Sequence, residues 1–206
     1  MNGDRPLFVG AKPGAWLRPF VVAVIIWLPL CFGAWYYLSP LLSQWLAMLT
    51  EAVLPRLFPA VIAGIETMGP GLDVVTKLVP SGAPGQGVGE LLFEINPLKY
   101  SFSLPLYTAL VLAVPIDEDW KKLFGWLLGV MVLSAGQVFG IGAEILKVLS
   151  FNLGEEARPL LGFSPWQHEA VALCYHFGSL ILPSVLPVML WLGQFGLGLI
   201  EPESPS

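Results

Sequence analysis

Residues 123–145 read LFGWLLGVMVLSAGQVFGIGAEI, and this stretch decides the fold class. Its only charged side chain is Glu144, next to its end. A helix needs about 20 predominantly apolar residues to cross the hydrocarbon core of a bilayer. The stretch is therefore predicted to be a transmembrane helix, and the chain to be an integral membrane protein.

The composition of the whole chain agrees with that prediction. Of its 206 residues, 55% are hydrophobic and 12% are charged, whereas soluble domains are about 25% charged. These values argue against a water-soluble globular domain and against a disordered chain, which would be poor in hydrophobic residues. The net charge of -5, without a cluster of basic residues, argues against binding to nucleic acid.

Three further apolar segments are predicted to cross the membrane. They are residues 16–38, 100–115 and 170–198. The second is short for a span, and we expect distortion at Pro105. The last follows Ser164-Pro165-Trp166-Gln167, which has the pattern of a capping box with proline at the first helical position. The sequence thus predicts an all-α integral membrane protein with about four transmembrane helices.

The main polar region, residues 39–99, lies between the first two predicted spans. Apolar residues at helical spacing in 41–54 predict a helix ended by Pro55. This helix could lie along the membrane surface or pack under a small domain. Residues 71–79 and 89–96 have the pattern of strands and are predicted to form a β-hairpin on the helix.

Lysine and arginine are denser in one set of connections, which predicts the orientation. This set comprises the tails 1–15 and 199–206 and the turn 116–122. Because basic residues next to spans favour the cytoplasmic side, we expect both termini in the cytoplasm. The two other connections, 39–99 and 146–169, are then extracytoplasmic.

Small residues recur on one face of the span at 123–145. Gly125, Gly129, Gly136, Gly140 and Ala143 fall within one stripe at about 100° per residue. Small residues let a second helix approach closely, so the stripe is predicted to be a helix-packing face. The alternative is the general enrichment of glycine in membrane helices.

Several polar or aromatic residues near the predicted membrane boundaries could contact a partner. They are Glu90, Glu94, Asn96, Tyr100, Gln137, Glu144, His168 and Glu169. Glu144 can pair with Lys147, three residues later, so a structural role is favoured for it. One histidine and one acid do not make a metal site. We predict no catalytic residue, no metal and no cofactor.

Short segments along most of the chain resemble one family of bacterial membrane proteins. The segments are FEINPLKY at 93–100, SLPLY at 103–107, WLPLCF at 27–32 with WY at 35–36, AGQVFG at 135–140 before LK at 146–147, and ILPSVLP at 181–187. In these segments, and in length and order of elements over residues 16–195, the chain is similar to the exosortase-H-associated membrane proteins.

The resemblance implies an accessory role beside an exosortase, a membrane enzyme that handles proteins bearing a C-terminal sorting signal. It also implies the bacterial inner membrane, with lipid and an exosortase or another integral membrane protein as partners. Exosortases use a Cys, an Arg and a His, and Cys31, Arg158 and His168 occur here in that order. A small membrane transpeptidase or peptidase is therefore one alternative, and a channel or transporter subunit is another.

Overall fold

The fold is mostly helical, with one small sheet. A computed structural model describes residues 17–68, 71–77, 92–115, 119–153 and 161–196. The helices are α1 (Leu17–Leu57), α2 (Leu98–Ser101), α3 (Ser103–Ala113), α4 (Asp119–Lys147), α5 (Pro165–His176) and α6 (Leu182–Trp191). Wider π-helical turns follow α4, α5 and α6, at Val148–Asn152, Phe177–Ile181 and Leu192–Gly196.

Three helical segments are long and apolar enough to cross a membrane. They are α1, α4 with its π turn, and the continuous segment Pro165–Gly196 formed by α5 and α6. The predicted span at 100–115 falls on the shorter apolar helix Leu98–Ala113. Because a span needs about 20 residues, length and composition support three spans among the described residues, not the four that we predicted.

The first helix is longer than its predicted span. Helix α1 has 41 residues, which at 1.5 Å per residue gives about 60 Å, twice the thickness of the hydrocarbon core. The prediction of a separate helix at 41–54 is therefore wrong, because α1 continues through Pro40 and Pro55. A proline removes one backbone hydrogen bond, and here the packing of Leu46 and Leu54 against the sheet offsets that loss.

The sheet has three antiparallel strands in the order β1 (Ile62–Met68), β2 (Gly71–Thr76), β3 (Leu92–Ile95). The predicted hairpin is present in part as the β2–β3 pair, in which Leu72 lies opposite Ile95. Residues 78–91 lie outside the described part of the chain. Strand β1 was missed, because Ile62–Met68 lacks a clear alternation of apolar and polar residues.

Two clusters of buried side chains stabilise opposite ends of the helices. At the end that carries the sheet, which we call the sheet end, α1 and α4 pack on the strands through Leu46, Leu54, Ile62, Leu72, Ile141 and Ile145. At the opposite end, α1, α3, α4, α6 and the π turn after α6 meet through Phe20, Tyr107, Leu133, Trp191 and Phe195. Helix α3 thus lies between α1, α4 and α6.

The last span begins as predicted and contains its two prolines without breaking. The capping box is present, and the backbone N–H of Ser164 donates to Gln167 Oε1 at 2.7 Å. Pro183 and Pro187 both lie in α6 and are buried. The π turn Phe177–Ile181 directly precedes them, as expected where local adjustments satisfy a backbone that proline has interrupted.

Candidate functional site

Helix α4 approaches both a buried ring and the backbone of the last span at Gly140. A Cβ atom added there would lie 2.5 Å from Tyr100 Cδ1 and 3.0 Å from the carbonyl oxygen of Gly178. A Cβ added at Gly178 would in turn lie 2.9 Å from the Cα of Gly140. Only glycine at both positions allows α4 and the π turn after α5 to approach this closely.

The other members of the predicted stripe face several neighbours. An added Cβ at Gly129 would collide with the Tyr107 ring, one at Gly125 would lie 2.7 Å from Phe195, and one at Gly136 would lie 3.1 Å from the end of Leu186. Ala143 is also buried. In the structure the stripe therefore faces α2, α3, α6 and the π turns of the last span, all within this chain.

A cluster of charged and aromatic side chains lies next to the Gly140–Gly178 contact, at the sheet end. Lys99 Nζ lies 2.7 Å from Glu144 Oε1, and the Tyr100 hydroxyl donates to Glu144 Oε2 at 2.7 Å. Lys99 also donates to the hydroxyl of Tyr175 at 3.0 Å. We call Lys99, Tyr100, Glu144, Tyr175 and Lys147 the sheet-end cluster.

The ion pair differs from the one suggested by spacing. Glu144 binds Lys99 of α2, whereas the ammonium of Lys147 lies 5.5 Å from the centre of the Tyr175 ring. The suggested pair Glu144–Lys147 is therefore wrong. Sequence spacing could not reveal the true partners, because Lys99 and Glu144 are 45 residues apart and meet only through the packing of α2 on α4.

The electrostatics of Lys99 follow from this position. Lys99 lies outside the three candidate spans. Burial lowers its pKa, but its hydrogen bonds to Glu144 and Tyr175 raise it, and the net pKa lies above the ordinary value. Lys99 is therefore a stable cation at neutral pH, and Glu144 is its counter-ion.

A second polar contact lies deeper between the helices. Gln137 is 3% exposed, and its Nε2 donates to Ser103 Oγ at 2.9 Å. The single hydroxyl hydrogen of Ser103 is used by the Tyr100 carbonyl, 3.1 Å away. Ser103 must therefore accept from Gln137, which fixes the orientation of the amide. This contact joins α3 to α4.

Tyr107 joins three segments at the opposite end. Its hydroxyl lies 2.8 Å from the carbonyl oxygen of Gly125 and 2.5 Å from the amide oxygen of Gln194. A hydroxyl has one hydrogen to donate, so the arrangement is consistent when the Gln194 amide is turned to donate to it. Because Gly129 has no Cβ, the fully buried ring of Tyr107 can pack directly against α4.

The residues predicted to contact a partner separate into inward and outward groups. Tyr100, Gln137 and Glu144 contact other parts of this chain. The ring of His168 contacts the rings of Phe151 and Phe163 edge to face. Glu94, Asn96 and Glu169 are exposed, although Asn96 Oδ1 also accepts a hydrogen bond from the Leu98 N–H at 3.0 Å. Glu90 lies outside the described residues.

The sheet carries a row of acidic residues that was not predicted from the sequence. Asp73 on the central strand lies directly opposite Glu66 on one side and Glu94 on the other. The row could not be seen without the pairing of β1, which the pattern did not reveal. No group of three His, Cys, Asp or Glu side chains suited to a metal ion occurs among the described residues.

The surface between α1, α3 and α4 contains an apolar groove of about 330 Å³. Cys31 and Trp35 of α1 line one wall, and Thr108 and Trp126 line the other. Both indole N–H groups are used within the chain, since Trp35 donates to Ser101 Oγ and Trp126 donates to Thr108 Oγ1, each at 3.0 Å. Arg158 lies outside the described residues, so the structure does not test the order Cys31, Arg158, His168 as a site.

The arrangement is thus a membrane-embedded helical body with a small sheet at one end. The family model described as exosortase H-associated membrane protein matches residues 15–196. The chain belongs to this family. No curated protein and no solved structure matches it. The match covers all three candidate spans and the sheet of this exosortase H-associated membrane protein.

Proposed function

We propose that this exosortase H-associated membrane protein is a non-enzymatic accessory protein. It would assist an exosortase in sorting, or in anchoring at the surface, proteins that bear a C-terminal signal. The observation that carries the proposal is the family match over residues 15–196. The inward contacts of Tyr100, Gln137 and Glu144 support it, because they use these polar groups to hold the fold together.

The first half of α1 is the surface that best suits an integral membrane partner. The most apolar window of α1 is only 6% buried, against 33% for that of α4. Ile25 and Leu30 project outward with more than half of their surface exposed. Large apolar surfaces on a membrane helix can pack against another span as well as against lipid, so we propose that this surface contacts the exosortase.

Co-purification with substituted variants tests both parts of the proposal. The tagged protein is extracted from cells together with the exosortase encoded in the same organism. Anchoring is followed by the electrophoretic mobility of the cargo protein. Deletion of the protein should reduce anchoring. Leu30→Trp should reduce co-purification several-fold, whereas Met131→Trp on the exposed face of α4 is the matched control. Unchanged anchoring on deletion would contradict the function, and equal loss with both variants would contradict the proposed surface.

We further propose that the protein lies in the bacterial inner membrane with the sheet on the extracytoplasmic side. Single cysteines at Glu66 on the sheet and Asp119 at the start of α4 test this orientation. They are introduced in a variant in which Cys31 and Cys174 are replaced by Ala. An impermeant thiol reagent should label intact cells at position 66 only. Labelling at 119 alone would contradict the orientation.

A further inference from the structure

The sheet-end cluster contains more hydrogen-bond donors than acceptors. Glu144 accepts from Lys99 and from Tyr100, so its two carboxylate oxygens are both engaged. Tyr175 accepts from Lys99, and its own O–H has no acceptor among the described residues. The ammonium of Lys147 likewise contacts the Tyr175 ring without an acceptor in the described part of the chain.

The charges of the cluster are also unequal. Lys99 and Lys147 place two ammonium groups within 4.8 Å and 5.5 Å of the centre of one ring. Glu144 supplies one negative charge, and it is bound to Lys99. The net charge of the cluster is therefore +1, and within the described part of the chain the hydroxyl of Tyr175 and the ammonium of Lys147 have no acceptor. An oxyanion would satisfy both.

The position of the cluster indicates which oxyanion it meets. Lys147 lies just beyond the apolar stretch of α4 that ends at Ile145, where lysine and tyrosine occur at the level of lipid headgroups. The same pair of helical segments carries Phe139 and Phe177, whose rings pack edge to face 6.5 Å apart. Both rings are more than two-fifths exposed and provide apolar surface for an acyl chain toward the membrane interior.

From these observations we infer that the sheet-end cluster binds the phosphate of an anionic phospholipid. Lys147 and the Tyr175 hydroxyl would hold the phosphate, and Lys99 would hold Tyr175 in place. The Gly140–Gly178 contact is the positioning element, because it brings α4 and α5 close enough for Lys147 to reach Tyr175. This inference does not depend on an exosortase.

Thermal melting of the purified, delipidated protein in detergent tests the inference. The probes are phosphatidylglycerol, phosphatidylcholine with the same acyl chains, and inorganic phosphate. Phosphatidylglycerol should raise the melting temperature at lower concentration than phosphatidylcholine does, and inorganic phosphate should have little effect. Lys147→Gln should raise the half-saturating concentration of phosphatidylglycerol about fivefold, which corresponds to the ~1 kcal/mol that one basic residue contributes near an anionic surface.

Three further variants keep the test decisive. Tyr175→Phe retains the ring and should also weaken the response, and Lys147→Arg retains the charge and should preserve it. Lys77→Gln makes the same change of charge at the residue after strand β2 and is the matched control. Equal responses to the two lipids, or an unchanged response in Lys147→Gln, would overturn the inference. An equal response to inorganic phosphate would replace the lipid by a free phosphate and would also overturn it.

Discussion

The contact between Gly140 and Gly178 makes a strong prediction about stability. In Gly140→Ala the new Cβ would lie 2.5 Å from the Tyr100 ring and 3.0 Å from the Gly178 carbonyl oxygen. Favourable contacts between carbon atoms lie near 3.5 to 4.0 Å, so the ring must move by about 1 Å. Tyr100 is fully buried and its hydroxyl is bonded to Glu144, so moving the ring would disturb that hydrogen bond and the surrounding packing.

The expected magnitude follows from these distances. Overpacking of a well-packed core costs about 1 to 3 kcal/mol, and the higher helix propensity of alanine recovers at most about 1 kcal/mol. At roughly 2 to 4 °C per kcal/mol for a chain of this size, we expect Gly140→Ala to melt several degrees below the parent protein. The measurement is thermal melting of the purified protein in detergent.

Two matched substitutions separate packing from the mere loss of a glycine. Gly33→Ala makes the same chemical change in α1, where an added Cβ meets nothing within 4 Å, so the melting temperature should not fall. Gly136→Ala should have an intermediate effect, because its Cβ would meet only the flexible end of Leu186 at 3.1 Å. If Gly140→Ala melts at the same temperature as Gly33→Ala, the reasoning is refuted.

Three other perturbations have expected outcomes. Tyr107→Phe removes the hydroxyl that binds Gly125 and Gln194 and should cost about 1 kcal/mol, measured as a lower melting temperature; an unchanged value would contradict that bond. Asp73→Asn removes like-charge repulsion across the sheet and should stabilise by about 0.2 to 1 kcal/mol, whereas destabilisation would show that the carboxylate is needed. Replacing both Cys31 and Cys174 by Ala should leave cargo anchoring intact; its loss at normal protein levels would support the enzymatic alternative.

The membrane class and several local features could be predicted from sequence because they depend on residues close together in the chain. The apolar stretch 123–145 identified a membrane helix without knowledge of its neighbours. The capping box at Ser164 and Gln167 is satisfied within one turn of helix. The start of α5 at Pro165 was therefore predicted correctly. The β2–β3 pair was also predicted, because apolar and acidic residues alternate in 89–96.

Predictions made from neighbouring residues were less successful where packing between distant segments determines the structure. Pro55 predicted the end of a separate helix at 41–54, but the burial of Leu46 and Leu54 under the sheet keeps α1 continuous to Leu57. The apolar character of 100–115 predicted a fourth span, which is not among the candidates supported by length and composition. The described helix is short, and its alternate residues, such as Tyr107, are buried within the protein.

The sequence by itself thus determined that this is a membrane protein. It also determined which segments form its longest apolar helices and on which side of α4 the small residues lie. These properties follow from hydropathy and from the period of a helix, which are local. Only the tertiary structure decided that Lys99 rather than Lys147 binds Glu144, and that Asp73 lies between two other acids. Such partners depend on the crossing of helices and the register of strands, which bring together residues far apart in sequence.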